Sequence, residues 1–241
     1  LDVGSGASAS ETIELEISTP GSDVTVSSGI VSGTSAVQIS GTSTIIKPYV
    51  TIGTTGTQTT NVNADSTNNY IGGAFTAVRS ASSTNITQII VNEKGTVSAD
   101  SNLSNLDLYY ETAGTCTYDG DETLFGTASS FSSEAATITG TIATGTSQIC
   151  IYAVLDVGSG ASASETIELE ISNPSTDVTV SSGIVSGTSA VQISGTTTIL
   201  KPAITVGTTG TQTANIYNST NNNYIGGAFT FVRGSGSANI T

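Results

Sequence analysis

The two cysteines of this chain are the residues whose type and number favour a specific covalent bond. Cys116 and Cys150 are its only cysteines, in a chain with 5 Lys and Arg, 19 Asp and Glu, and no histidine. An even pair in an acidic, thiol-poor chain favours a disulfide and an oxidising, extracytoplasmic setting. Two buried free thiols are the alternative. The bond would close a loop of about 34 residues, worth roughly 3–4 kcal/mol on the chain-entropy account.

A group of carboxylates stands in the segment YDGDE at residues 118–122. It consists of Asp119, Asp121 and Glu122. Loop carboxylates ligate calcium, but this segment lacks the length and the position-twelve glutamate of an EF-hand loop. A solvated turn is therefore the favoured interpretation, with the three residues as calcium candidates beside it. The sequence predicts no cofactor.

Catalytic chemistry has little support in the sequence. A Ser or Cys triad needs a base, and the chain has no histidine. The motif GSGASA, at residues 4–9 and again at 158–163, fits the dinucleotide-binding fingerprint G-x-G-x-x-A. That fingerprint requires a following helix, whereas the next residues, ETIELEI, alternate as a strand does. We therefore expect neither an enzyme nor a nucleotide-binding protein.

Surface modification and ligand binding have candidate residues of their own. Sequons for N-glycosylation stand at Asn85, Asn102, Asn218 and Asn239. A binding surface uses exposed aromatic residues on loops, and the candidates for that role are Tyr109, Tyr110, Tyr118 and Phe125. The two adjacent tyrosines of this set point to opposite faces of a strand, which leaves one of them available to face outward.

Short strands are expected to position these residues. Apolar and polar residues alternate, as Ile13, Leu15 and Ile17 do in ETIELEIS. Turn formers separate such stretches, and no stretch of eleven or more residues has a helical period with caps. The sequence predicts strands within residues 11–18, 70–79, 86–92, 105–111, 135–142, 148–157 and 177–182. This pattern predicts an all-β fold, specifically an immunoglobulin-like antiparallel β-sandwich.

The chain repeats itself with a period of 154 residues. Residues 1–87, here the first copy, match residues 155–241, the second copy, at 67 of 87 positions. A period of this length fits a whole domain with its linker. The sequence therefore predicts tandem sandwich units, with the chain cut in mid-unit at both ends.

Five segments follow from this period. They are the C-terminal part of a preceding sandwich (1–46), a linker (47–69), a complete sandwich (70–199), a second linker (200–223) and the N-terminal strand or strands of a following unit (224–241). Alternation within residues 203–206 and 212–217 predicts that part of the second linker pairs as a strand.

Charge and composition exclude several classes of partner. The net charge of −14 repels nucleic acid and anionic lipid. No run of 18 apolar residues is present, so we expect no membrane insertion of this segment. Ser and Thr make up 78 of the 241 residues, and this hydroxyl-rich surface suits a long hydrated polymer. The expected partners are copies of the same unit or chain.

The whole 154-residue period resembles a tandem immunoglobulin-like repeat of giant prokaryotic surface or filament proteins, of the candidate-phyla type. The motifs that carry the resemblance are YIGGAF, LYYE…C…YDG.ET.FG and C.Y..LDVGSGAS. The resemblance implies a secreted or surface-tethered protein in which Cys116 and Cys150 match the paired cysteines. It implies no catalytic residues.

The expected function is structural: a repeat unit of an extracellular filament or cell-surface stalk. Near-identical units permit equivalent contacts at every junction, through covalent tandem linkage, strand addition or both. Heterologous contacts of this kind generate open helical assemblies. The alternative is a surface adhesin whose sandwich loops bind glycans or a protein receptor.

Overall fold

The computed structural model describes residues 1–4, 6–80, 84–145, 147–219 and 221–234. Strands dominate these ranges, as the many β-branched residues favour. The helices found there are single turns: α1 Pro20–Asp23, α2 Ala99–Asn102 and α3 Pro174–Asp177. Across the described ranges, none of the helices has the length and apolar character needed to span a membrane. The expectation of an all-β fold is confirmed.

The chain divides into two compact units, Leu1–Pro48 and Tyr49–Thr241, here the N-terminal and C-terminal units. The strands of the N-terminal unit are β1 Thr12–Ile13, β2 Glu16–Ile17, β3 Val37–Gln38 and β4 Ser43–Thr44. Strand β1 pairs with β4, and β2 pairs with β3, both antiparallel. Its apolar side chains stay largely exposed, with Val37 at 60% and Ile39 at 69%. The N-terminal unit thus has paired strands but little core of its own.

The C-terminal unit contains the longer strands. They are β5 Tyr49–Thr55, β6 Asn61–Asn63, β7 Ser66–Tyr70, β8 Ala74–Arg79, β9 Thr84–Glu93, β10 Leu103–Thr112, β11 Thr123–Ser130, β12 Ala135–Thr144, β13 Ile149–Val157, β14 Thr166–Ile167, β15 Leu169–Ile171, β16 Val178–Val180, β17 Ile184–Ser186, β18 Val191–Gln192, β19 Thr197–Leu200, β20 Ile204–Thr209 and β21 Ala228–Arg233. Each stretch predicted as a strand between residues 70 and 182 contains one. The sequence does not predict β11, because Gly126 and small side chains weaken its alternation.

Two sheets enclose the main hydrophobic core. The front sheet has the order β11-β10-β13-β8-β5-β17, and β7 also pairs with β13. The back sheet has the order β12-β9-β15-β18, and β16 also pairs with β9. One cluster of buried side chains draws on both, including Phe75 and Ile151 from the front and Ile89 and Ile138 from the back. Burial alternates along β9 and β12, as expected for strands with one face on a core.

Two glycines let the outer strands of the sheets approach each other. A Cβ atom added at Gly140 in β12 would clash with the backbone of Phe125 in β11. One added at Gly126 in β11 would clash with the backbone of Thr139 in β12. Both positions therefore require glycine, because the two backbones meet there.

The residues expected as the first linker, 47–69, form strands of this body. Strand β5 lies between β8 and β17 in the front sheet, β7 pairs with β13, and β6 pairs with β19 in a small sheet of order β14-β19-β6. In the second linker, β20 pairs with β21, whereas residues 212–217 form no strand. Residues 49–200, here the central body, thus share one set of sheets and one core.

Candidate functional site

The two cysteines and part of the predicted aromatic set meet on the outer face of the front sheet. Alternation along β13 places Cys150 and Tyr152 on this face and Ile151 in the main core. Tyr109 of β10 lies opposite Tyr152 in the register. Cys116 is bonded to Cys150, with their Cα atoms 5.5 Å apart, so the predicted disulfide is confirmed. The bond ties the segment that follows β10 to the centre of the front sheet.

Four tyrosine rings form a cluster beside the disulfide. This tyrosine cluster consists of Tyr70, Tyr109, Tyr118 and Tyr152. The ring centroids of Tyr70 and Tyr118 are 4.5 Å apart, and those of Tyr118 and Tyr152 are 5.5 Å apart. Such separations are favourable for aromatic pairs. Tyr152 is fully buried and donates a hydrogen bond to the carboxylate of Glu111. The cluster is therefore a second, smaller core outside the main one.

The tyrosine hydroxyls are held in their neutral form. Burial, followed by the charge of Glu122, raises the pKa of Tyr70 to about 12. Burial and the hydrogen bond to the carboxylate raise the pKa of Tyr152. Burial is also the main cause of the raised pKa of Tyr109 and of Tyr118. A phenol with a raised pKa stays protonated at physiological pH. These groups therefore serve as neutral hydrogen-bonding partners rather than as nucleophiles.

The other two predicted binding aromatics lie elsewhere. Tyr110 packs against the main core, on the face opposite Tyr109. Phe125 is 5% exposed within that core, so its ring does not face a surface where a ligand could bind. The structure brings together two of the four predicted aromatics. It adds Tyr70 and Tyr152, which the sequence pattern did not select. Nothing local in the sequence indicates that the strands of these two tyrosines pair beside the disulfide.

The three acidic candidates lie together in the turn before β11. One ligand oxygen from each of Asp119, Asp121 and Glu122 can be chosen so that all lie within 4.8 Å of one another. Glu122 uses both carboxylate oxygens to accept backbone N–H groups, from Asp119 at 2.7 Å and from Gly120 at 3.0 Å. A hydrogen bond and the charge of Asp119 raise the pKa of Asp121. The carboxylates thus close their own turn, and they offer a calcium ion an incomplete ligand set.

The four sequons occupy different environments. Asn85 is partly exposed in β9, and Asn102 is partly exposed at the end of α2. Asn218 is exposed in the segment after β20. Asn239 lies outside the described residues. Of the described three, Asn218 presents the most accessible side chain for N-glycosylation.

The central body contains a second feature, the terminal seam, which the sequence did not indicate. We define the terminal seam as residues 49–64 and 184–200 running side by side in parallel. Ile184 pairs with Tyr49 at its beginning, and Leu200 pairs with Asn63 at its end. Between these points Thr57 forms a parallel bridge with Ser194. The first two strands of the central body, β5 and β6, are therefore joined in parallel to β17 and β19 near its end.

Gln58 connects the terminal seam to the strands behind it. Its side chain is 7% exposed. Its Nε2 donates to the carbonyl of Ile167 at 2.8 Å and to Oγ1 of Thr197 at 3.1 Å. Its Oε1 accepts the backbone N–H of Leu169 at 3.0 Å. One buried amide thus satisfies polar groups on three strands, as buried polar side chains must.

Comparisons with known protein families and with curated proteins find no match to this chain. Its function is therefore inferred from the sequence and from the geometry described above.

Proposed function

We propose that this chain is a structural repeat of an extracellular filament or cell-surface stalk. Its units are immunoglobulin-like β-sandwiches that recur every 154 residues and join through the backbone and through strand addition. The antiparallel pair β5–β8 places Val50 opposite Arg79, and the antiparallel pair β20–β21 places Ile204 opposite Arg233, which is the same register one period later. The disulfide supports an extracytoplasmic location, because such bonds persist in oxidising compartments.

The observation that carries this proposal is the terminal seam. Tyr49, where the central body begins, lies at one end of the seam, and Leu200, where it ends, lies at the other. Tension on a tandem chain therefore pulls the two segments past each other, along the direction of the strands. All hydrogen bonds of a ladder share such a load, whereas a ladder peeled from one end loses them one at a time. This geometry suits a unit that bears tension.

Single-molecule pulling tests the load-bearing role. The full chain is held through Lys47→Cys and Ala203→Cys, which load the seam from opposite ends. The comparison is the same chain held through Lys47→Cys and Ile184→Cys, which loads it from one end. We expect the first geometry to need at least about twice the force, because forced unfolding follows the unfolding rate under that load. Equal forces in the two geometries would contradict the proposal.

A matched pair of proline variants tests whether the seam is the source of the resistance to force. Thr198 donates its backbone N–H to the carbonyl of Thr60 at 2.9 Å, so Thr198→Pro removes a bond of the seam. Thr44 is its counterpart in the first copy, outside the seam. We expect Thr198→Pro to lower the rupture force of the central body and Thr44→Pro to leave it unchanged.

The adhesin function remains the second candidate, and the tyrosine cluster is the observation that favours it. Tyr109 and Tyr118 are partly exposed beside the acidic turn, where a sugar or a peptide could reach their edges. Saturable binding of one defined sugar on a glycan array, lost in Tyr118→Ala, would support the adhesin. Binding to no sugar on the array would leave the structural proposal as the better supported one.

A further inference from the structure

Both halves of a further seam are present in the chain, and in the described residues they form no ladder with each other. One period from the terminal seam, residues 30–46 correspond to 184–200, and residues 203–218 correspond to 49–64. Within the described ranges, the ladders of these two segments are those with β1, β2 and β21. Neither segment has the parallel neighbour that its counterpart has in the central body.

Apolar side chains that are buried in the terminal seam have counterparts in these two segments that are exposed to solvent. Ile193 is 0% exposed, whereas its counterpart Ile39 is 69% exposed. Val62 is 7% exposed, whereas its counterpart Ile216 is 55% exposed. Exposed apolar surface of this kind is a mark of an interaction site. The same sequence in the central body shows what covers it.

Each segment already has part of the local structure that the terminal seam requires. In the N-terminal unit Glu16 pairs with Gln38, as Glu170 pairs with Gln192 in the central body. In the second copy the backbone N–H of Thr213 donates to the carbonyl of Ile225, as Thr59 donates to Ile71. Residues 30–32 and 215–217, the counterparts of β17 and β6, form no strand and must order on association.

Charge repulsion does not oppose a pairing of residues 30–46 with residues 203–218. The chain has a net charge of −14, yet residues 30–46 and 203–218 contain no Asp, Glu, Lys or Arg. Like charges at an interface cost several kcal/mol in general, and none meet along these two segments. Two strongly acidic molecules can therefore approach each other here.

We propose that residues 30–46 of one copy of this chain pair in parallel with residues 203–218 of a second copy, in the register of the terminal seam. This inference rests on the structural role proposed above and names the partner and the contact. Val31 then lies opposite Ile204, and Ile45 lies opposite Ile216. Since each copy carries one segment of each kind, the contact is head-to-tail, and each added copy offers a segment for the next.

One pair of side chains defines this register sharply. Ser186 and Thr51 bring their hydroxyl oxygens to 3.1 Å across the terminal seam. Their counterparts are Ser32 and Thr205. The contact joins two separate molecules, so the fraction of paired copies depends on the protein concentration.

Disulfide trapping between two singly substituted proteins tests the register. A full chain with Ser32→Cys is mixed with a full chain with Thr205→Cys under mild oxidation, and the products are counted by mass spectrometry. We expect this mixture to give at least tenfold more mixed dimer than the matched mixture of Ser32→Cys with Thr208→Cys. A chain with Thr51→Cys and Ser186→Cys serves as the positive control for bond formation. Equal yields from both mixtures, or none while the control reacts, would overturn the proposal.

Sedimentation velocity of the full chain gives a second measurement. We expect mass to rise with concentration, and Ile46→Asp, at a side chain 75% exposed, to weaken this association at least tenfold. Leu124→Asp, also at an exposed apolar residue but outside both segments, should leave it unchanged. A monomer at all concentrations would refute pairing between copies. The load-bearing role would survive that result, because the pulling comparison depends on the central body alone.

Discussion

Single residues of this chain show that position in the fold, and not residue type, sets the role of a side chain. Gln58 is buried and bonded to three strands, whereas Gln212, one period later, is exposed. Both stand in the same sequence, GTTGTQT. The difference arises because only Gln58 has the segment 184–200 beside it.

This pair gives a prediction for stability. In Gln58→Ala the carbonyl of Ile167 and the N–H of Leu169 lose their hydrogen bonds to this buried side chain. We expect the free energy of unfolding to fall by about 2–4 kcal/mol, because each buried polar group left without a partner costs roughly 1–3 kcal/mol. Gln212→Ala is the matched control and should change it little. Urea denaturation measures both, and equal effects would contradict the role assigned to Gln58.

Among the elements, the two turns of sequence YIGGAF show how packing separates identical local structures. The tyrosine at the start of each donates to the carbonyl of the second glycine at 2.7 Å, in Tyr70 and Gly73 and in Tyr224 and Gly227. The first turn is covered in the central body, where Phe75 is 0% exposed. The second is exposed, with its counterpart Phe229 76% exposed. Local sequence thus determines the turn, and distant segments determine its burial.

A glycine substitution in each turn separates the contribution of local sequence from that of burial. Gly73 and Gly227 both have positive φ, at 62° and 69°. A Cβ atom at Gly73 would clash with Ile193, whereas at Gly227 the nearest atom is a backbone oxygen at 3.2 Å. We expect Gly73→Ala to cost about 2–4 kcal/mol, from backbone strain and overpacking together. Gly227→Ala should cost about 1 kcal/mol, from the backbone alone.

Thermal unfolding of the two variants checks this prediction. The transition of the central body should move to lower temperature in Gly73→Ala and stay in place in Gly227→Ala. Equal shifts would mean that Ile193 does not contact the first turn closely, and the packing of the terminal seam would need revision.

For the whole molecule, the question is where the folded body begins. The sequence pattern predicts a complete sandwich at residues 70–199, after a linker at 47–69. The structure places β5, β6 and β7 from that linker in the sheets of the central body, with Val50 and Ile52 in its core. The outer strand β17 pairs with β5, and β19 pairs with β6. Without residues 49–69, both lose these partners.

Two fragments test these boundaries. We expect residues 49–200 to fold alone with a cooperative thermal transition, because they contain both sheets and the main core. Residues 70–199 should show at most a weak, non-cooperative transition, because the core loses Val50, Ile52 and Val62. Circular dichroism and calorimetry compare the two directly. Cooperative unfolding of 70–199 at the same temperature would restore the boundaries that the sequence indicated.

Much of the fold followed from local pattern. Alternation located the strands from β8 to β16 apart from β11, whose residues are mostly small and include Gly126. The two cysteines indicated a disulfide by their number alone, because an even pair in an acidic chain leaves few other uses for thiols. The candidate site was harder to predict from the sequence. The pattern selected Tyr109 and Tyr118 but also Phe125, which is buried. Alternation does not say which face of a strand meets the larger core.

By itself, the sequence determined the all-β class and the 154-residue period and favoured a disulfide over two free thiols, since each follows from composition or from spacing along the chain. Only the tertiary structure decided that residues 49–64 lie beside residues 184–200, with contacts such as Thr51 to Ser186 that span 135 positions. The physical reason is that a ladder's partner is chosen by burial and register across the fold. The same residues one period away have the same local pattern and remain bare.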